Sequence, residues 1–209
     1  MTDQQDQYSY TPLPRPVRIT EQHWPEGTVP LVSISCITYN HVNFIRDAIE
    51  GFLMQETAFP VEILIHDDAS TDGTADIVRE YEYKFPQLIR PIYQTENQYS
   101  KGRQVGLFNL QIASGRFIAL CHSDDFWLRS DKLMDQVVFM KEEGVSISGH
   151  PAEVIDSHGR NLKYLTGFVV RKPSIFDAGK LLWNSGNMLS YPSIMITDSV
   201  KEDMLQYMP

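Results

Sequence analysis

Residues 31–39 read LVSISCITY, a short β-rich run of apolar and small residues, and the periodicity of the next thirty residues sets the architecture. Phe44, Ile45, Ala48, Ile49, Phe52 and Leu53 recur at helical spacing, and residues 61–65 (VEILI) form a second apolar run. Strand, helix, strand in that order is the unit of a parallel sheet, because parallel neighbours need a crossover and a helix supplies it. The same alternation then repeats. Ile77, Val78, Tyr81 and Phe85 share a helical face, residues 89–93 read as a strand, residues 105–112 as a helix closed by Gly115, and residues 117–121 as another strand. A further helix carries Leu133, Met134, Val137, Val138 and Met140 on its inner side, with Ser130 as its N-cap and Gly144 as its stop. The predicted class is α/β: a mostly parallel central sheet with helices on both faces, joined by right-handed crossovers.

Beyond Gly144, residues 145–148, 162–170 and 193–197 read as strands, residues 176–183 and 198–208 as short helices, and residues 156–159 as a turn. Residues 1–30 are polar and punctuated by Pro12, Pro14, Pro16, Pro25 and Pro30, each of which removes a backbone donor and disfavours helix before it. They form an extended lead-in that either wraps the domain through Trp24 or stays partly disordered. Residues 31–209 then make one domain, since no linker, repeat or low-complexity block interrupts them.

Composition narrows the function. The 209 residues are 42% hydrophobic and 22% charged, enough apolar material for one substantial core. Lys plus Arg is 18 and Asp plus Glu is 27, a formal charge of −9, so there is no cationic footprint for nucleic acid. An acidic protein that handles a phosphorylated ligand needs a local cation, either a few placed basic side chains or a metal. Cys36 and Cys121 both lie in apolar runs, as small buried hydrophobes do in a reducing compartment, and the expected location is cytoplasmic. Residues 1–10 show neither a basic nor an apolar leader region, and no uncharged apolar stretch is long enough to span a bilayer. Peripheral association with a membrane surface stays open.

In an open parallel sheet the ligand crevice lies beyond the carboxyl ends of the strands, where loops diverge and helix N-termini point inward. The first strand is followed by Thr38, Tyr39, Asn40 and His41; the second by His66, Asp67, Asp68, Ala69, Ser70, Thr71, Asp72, Gly73 and Thr74; the fourth by His122, Ser123, Asp124, Asp125, Phe126 and Trp127. Asp72-Gly73 reads as a turn into a helix. The two Asp-Asp pairs differ, because four acids around one crevice repel one another until a divalent cation, a raised pKa or solvent relieves them. Oxygen ligands without clustered cysteine suit Mg²⁺ or Mn²⁺. Lys101, Arg103 and Arg129 are the basic residues on rim loops. His41, His66 and His122 fall on the same rim without zinc-ligand spacing and read as packing or hydrogen-bonding groups, and Trp127 reads as a loop anchor.

With ISCITYNH at 34–41, EILIHDDASTDGT at 62–74 and GRFIALCHSDDFW at 115–127, in that order, the sequence resembles the family 2 glycosyltransferases of GT-A fold, over roughly residues 31–200. Many of these build bacterial surface glycans. The resemblance implies a GT-A-like fold with a Rossmann-like nucleotide-binding half. It also implies transfer of a sugar from a nucleoside diphosphate sugar, usually UDP-linked, to a glycan or lipid-linked acceptor, with inversion at the anomeric centre. Carried over residue by residue, Thr38, Tyr39 and Asn40 line the nucleoside pocket beside Asp67, Asp68 accepts a hydrogen bond from the base, and Asp124 reaches the ribose or sugar. Asp125 binds the Mn²⁺ or Mg²⁺ that bridges the diphosphate; Lys101 joins the nucleotide-sugar set from its rim position alone, where a solvated surface charge is the plainer reading.

Two features depart from the family pattern. Relatives place the general base beyond the strand matching residues 193–197, where this chain offers only Glu202 and Asp203, so no general base is identified. Many relatives also carry an Arg-Asn pair where this chain reads Val105-Gly106-Leu107-Phe108-Asn109. The competing reading is therefore a C-terminally short, non-catalytic module that binds a nucleotide sugar; under either reading the expected location is cytoplasmic, with the inner face of the membrane open. A signalling receiver domain also clusters aspartates at strand ends, but it has no place for a second Asp-Asp pair followed by Trp127.

Overall fold

The computed structural model describes residues 8–167, 169, 173–175 and 189–207. In chain order the regular elements are β1 (Val17–Arg18), β2 (Val32–Thr38), α1 (Ile45–Leu53), β3 (Glu56–Thr57), β4 (Val61–Asp67), α2 (Thr74–Lys84), β5 (Ile89–Tyr93) and α3 (Gly106–Ile112). They continue with β6 (Phe117–His122), α4 (Lys132–Glu143), β7 (Ile147–Ser148), β8 (Ala152–Ile155), β9 (Asn161–Thr166), β10 (Met195–Thr197) and α5 (Asp198–Tyr207). Strands β2, β4 and β6 are buried along almost their whole length, which is why they read as continuous apolar or small-residue runs rather than as alternating ones.

The six-stranded sheet has the order β5-β4-β2-β6-β10-β7. Strands β5, β4, β2 and β6 are mutually parallel, while β10 runs antiparallel to β6 and to β7. Alternation along the strands divides the core. Ile34, Ile63, Ile65, Ala119 and Cys121 pack on the face covered by α1, α2 and α4, through Ile49, Phe52, Val78, Leu133 and Val137. Leu64, Ile118, Leu120 and Ile196 face the other way, against Leu110 of α3 and Met204 and Leu205 of α5. The α/β class with helices on both faces is thus the observed one.

Several expectations are refined. Helix α3 ends at Ile112, and Gly115 serves close packing instead of stopping it: a Cβ there would lie 2.5 Å from the Ser33 backbone nitrogen. Helix α4 starts after Asp131 with no side-chain cap, so Ser130 is not its N-cap, whereas Gly144 terminates it at φ 64° as expected. On that helix Val138 is exposed, and the buried stripe includes Lys132 and Gln136. Of the strand expected at residues 162–170, residues 162–166 belong to β9, which forms a hairpin with β8 that periodicity does not reveal, while residues 168 and 170 lie outside the described residues. Their connection holds the expected turn, closed by Gly159 N–H to the Asp156 carbonyl at 2.9 Å. The helix expected at residues 176–183 lies outside the described residues.

The described part of the lead-in is extended and stitched to the rest. Strand β1 pairs with β3, Ile19 is buried in the main core, and Gln22 Nε2 donates to the Thr57 carbonyl at 2.7 Å and to Thr57 Oγ1 at 2.9 Å. Trp24 takes part by donating from Nε1 to Gln22 Oε1 at 2.8 Å. Among the described residues no helix is long and apolar enough to cross a membrane.

Candidate functional site

Strand β2 lies between β4 and β6, and its last two residues hold both acidic loops. The Asp68 amide donates to the Thr38 carbonyl at 3.0 Å, and the Ser123 amide donates to the Ile37 carbonyl at 3.1 Å. Asp67-Asp68 and Asp124-Asp125 therefore share one rim of the sheet. The loop after β2 ties in too, since Asn40 N–H donates to Ser70 Oγ at 2.9 Å and His41 Nδ1 sits 2.6 Å from Ser123 Oγ. Asn40 takes a left-handed conformation at φ 54°, with its Oδ1 accepting from Thr71 N–H, a tolerance characteristic of Asn. Asp72 does turn work, as the sequence indicates: its Oδ1 accepts from Thr74 N–H and its Oδ2 from Val42 N–H.

On the Asp67-Asp68 side of the rim, Thr38 and Asp67 are opposite each other in register and both buried. Asp67 Oδ2 accepts from Ser70 N–H at 3.2 Å, whereas Asp67 Oδ1 and Thr38 Oγ1 have no hydrogen-bond partner among the described residues. Asp68 is buried too, with Oδ1 accepting from Gln98 N–H at 2.7 Å and Oδ2 from Tyr99 N–H at 3.0 Å. It anchors the loop after β5, a role that sequence reading does not anticipate. A carboxylate has about four lone-pair positions, so both oxygens keep accepting capacity. Tyr39 is exposed on the rim. Lys101 is exposed and ion-paired with Glu96 of its own loop.

The second acidic loop carries the densest group of ligand atoms. One atom each from His122, Asp124 and Asp125 lie within 4.8 Å of one another. Asp125 has its carboxyl pushed up to about 6, chiefly by burial and then by the charge of Asp124. His122 stacks on Tyr191 at 3.9 Å between centroids, and burial holds its imidazole below the ordinary histidine value despite the opposing pull of Asp124. A neutral imidazole and two acids fit a divalent cation. Sequence reading assigns the His122 ring to packing or hydrogen bonding, and the ring does stack on Tyr191; its nearness to both carboxylates goes unread there, although the H-x-D-D spacing at 122–125 is a signal for it.

The loop is held firmly. Trp127 is buried, packs edge-on against Phe52 at 4.8 Å and donates from Nε1 to the Pro192 carbonyl at 2.8 Å, which makes it the expected anchor. Gln55 Nε2 donates to the Arg129 carbonyl at 2.7 Å. Arg129 itself is exposed and engaged by Asp131 and Asp135. The late acids Glu202 and Asp203 are exposed on α5, and Glu202 pairs with Lys201.

The sequence matches the family description "Glycosyl transferase family 2" over residues 33–202. It is 39% identical over 120 residues to the putative teichuronic acid biosynthesis glycosyltransferase TuaG of Bacillus subtilis (strain 168), covering 57% of this chain and 45% of that protein. It is also 39% identical over 120 residues to WfaP of Escherichia coli, named UDP-Glc:alpha-D-GlcNAc-diphosphoundecaprenol beta-1,3-glucosyltransferase, covering 56% of this chain and 44% of WfaP. Among solved structures, S. aureus TarS 1-349 in complex with UDP-GlcNAc superposes with a TM-score of 0.59 at 22% identity, over 85% of this chain and 48% of that one, a likeness of fold. The chain thus spans less than half the length of each of these three proteins. The match over residues 33–202, on a mostly parallel sheet in which β2 holds both acidic loops, makes this chain a member of glycosyl transferase family 2.

Proposed function

We propose that the chain binds a nucleoside diphosphate sugar, UDP-linked, across the ends of β4, β2 and β6, and that the sugar passes with inversion to a glycan or lipid-linked acceptor. The observation that carries this reading is the convergence of His122, Asp124 and Asp125 within 4.8 Å, where burial and then Asp124 push the Asp125 carboxyl up to about 6. Such a donor set suits Mn²⁺ or Mg²⁺ held by Asp125 with its two neighbours. When bound, the cation stabilises negative charge on the departing nucleoside diphosphate. In an acidic chain it also replaces the basic clamp that Lys101 and Arg129, both ion-paired, do not provide.

The chain's own residues do the rest. Asp68 offers its remaining lone pairs to the imide N–H of the base, and Thr38 Oγ1 and Asp67 Oδ1 gain partners from the nucleoside. Tyr39 and Asn40 flank the base, and Asp124 reaches the sugar or ribose hydroxyls. The naming of WfaP, with a UDP-linked donor and a diphosphoundecaprenol acceptor, supports this choice of substrates. Buried, unpaired Cys36 and Cys121 suit a reducing compartment, so the reading sets the reaction in the cytoplasm, at the membrane's inner face when the acceptor is lipid-linked.

Calorimetry with UDP, with and without Mn²⁺, run beside a donor-hydrolysis assay, tests the proposal. Metal-dependent UDP binding that Asp125→Ala abolishes is the expected outcome, and UDP affinity indifferent to both metal and Asp125 refutes it. Binding without turnover selects the non-catalytic nucleotide-sugar module instead.

A further inference from the structure

Beside Asp124 and Asp125 opens a cavity of about 1310 Å³, bounded on its far side by the β8–β9 hairpin. Its wall is largely apolar, with Leu128, Phe139, Ile155 and Leu165 among the lining side chains. Set into that wall is Lys132, 6% exposed, in the first turn of α4. Its ammonium stands 4.1 Å from the centroid of the Trp127 ring and donates one hydrogen bond, to Gln136 Oε1 at 2.6 Å. Gln136 is itself fixed, donating from Nε2 to Ser148 Oγ and to the Ser193 carbonyl.

Among the described residues no carboxylate counters this charge. That is unusual, because a buried ammonium is strongly disfavoured unless paired, and a ring face plus one amide oxygen compensate it only partly. Burial accordingly holds the Lys132 amine down at about 7. Of the other basic side chains lining the cavity, Arg129 is already neutralised by Asp131 and Asp135, and His150 is held below its ordinary value chiefly by burial. A partly compensated cation in a largely apolar wall suits an anion that arrives attached to an apolar body.

We propose that Lys132 receives the phosphate group of an amphiphilic acceptor, a diphosphate-linked lipid in class, whose apolar portion occupies the remainder of the cavity next to Asp124 and Asp125. The assignment of this cavity to the acceptor rests on the transferase reading above; the anion site itself does not. Lys132 is then a specificity-determining residue on the acceptor side, separate from the residues that hold the donor.

The test uses the 209-residue chain without donor or metal, with geranyl diphosphate as the anionic probe and octyl glucoside as the neutral one. Geranyl diphosphate is expected to bind at least tenfold more weakly to Lys132→Met, with octyl glucoside binding and, in a separate titration, Mn²⁺-dependent UDP binding unchanged. Equal affinity of both proteins for geranyl diphosphate overturns the proposal, and so does a loss confined to UDP, which would make Lys132 a donor contact. In the wild-type chain, the Lys132 ammonium NMR signal should titrate at higher pH with geranyl diphosphate than without it, a readout that holds even if Lys132→Met fails to fold. A stationary signal overturns the proposal. Lys132-dependent binding of geranyl diphosphate in a protein that ignores UDP and Mn²⁺ would leave the anion site standing and remove the transferase reading.

Discussion

Asp125 is a carboxyl group whose folded-state pKa, about 6, lies above its ordinary value of 3.8 because burial and then Asp124 disfavour its charge. Between those two values the folded chain holds a proton that the unfolded chain has released. Its contribution to stability is therefore complete below about pH 4 and is lost as pH rises through about 6. A bound cation reverses the preference, since it selects the carboxylate. The metal-free chain should thus lose thermal stability between pH 4 and 7 relative to Asp125→Asn, and its Mn²⁺ affinity should weaken about tenfold per pH unit below 6. Scanning calorimetry of both proteins with and without Mn²⁺ checks this, and parallel pH profiles would sink it. Among single residues the acid pairs are legible, because their position after strands is a property of the chain. The Gln98 and Tyr99 amides on Asp68, the ring of His122 beside two carboxylates, and the ammonium of Lys132 are not, because each depends on how the folded backbone brings its neighbours round.

Helix α1 seats the second acidic loop through a close backbone approach at Gly51, next to the Phe52–Trp127 ring contact. A Cβ on Gly51 would lie 2.9 Å from the Trp127 backbone nitrogen, so Gly51→Ala must push loop and helix apart. The expected result is a fold retained at a cost of about 1–3 kcal/mol, with Mn²⁺ affinity reduced as the loop shifts. Urea denaturation beside metal titration separates the two effects, and an unchanged Mn²⁺ affinity would show that the loop does not rely on α1. Among elements, β2, β4 and β6 are readable because strands covered on both faces demand unbroken apolar or small residues. Helix α4 is half readable: Leu133, Val137 and Met140 mark its inner stripe, but Lys132 and Gln136 share that stripe and polar residues carry no hydrophobic period. Two-residue strands such as β1, β3 and β7 are too short to show any period at all.

Across the whole molecule the lead-in is coupled to the site through β3. Ile19 N–H donates to the Gln55 carbonyl at 2.9 Å, and Glu56 N–H donates to the Ser130 carbonyl at 2.7 Å, so one short strand joins the N-terminal segment to the acidic loop. Removing residues 1–22 deletes buried Ile19 and both Gln22–Thr57 hydrogen bonds. The truncated chain should keep its sheet but lose about 3–5 kcal/mol in urea denaturation, and full stability would mean that the lead-in is dispensable. The proline-rich composition implies an extended path here but not its anchorage, which needs Thr57 and Gln55 from elsewhere in the chain. A different kind of coupling arises at the two neighbouring carbonyls of Ile37 and Thr38, from which both acidic loops hang. Flanking strands stand about 10 Å apart across a central one, so the reach from the Asp68 side to the Asp125 side is ruled by the pleated backbone and not by rotamers. Side chains there can be exchanged without moving those two carbonyls, so the spacing of the two loops persists whatever groups they carry.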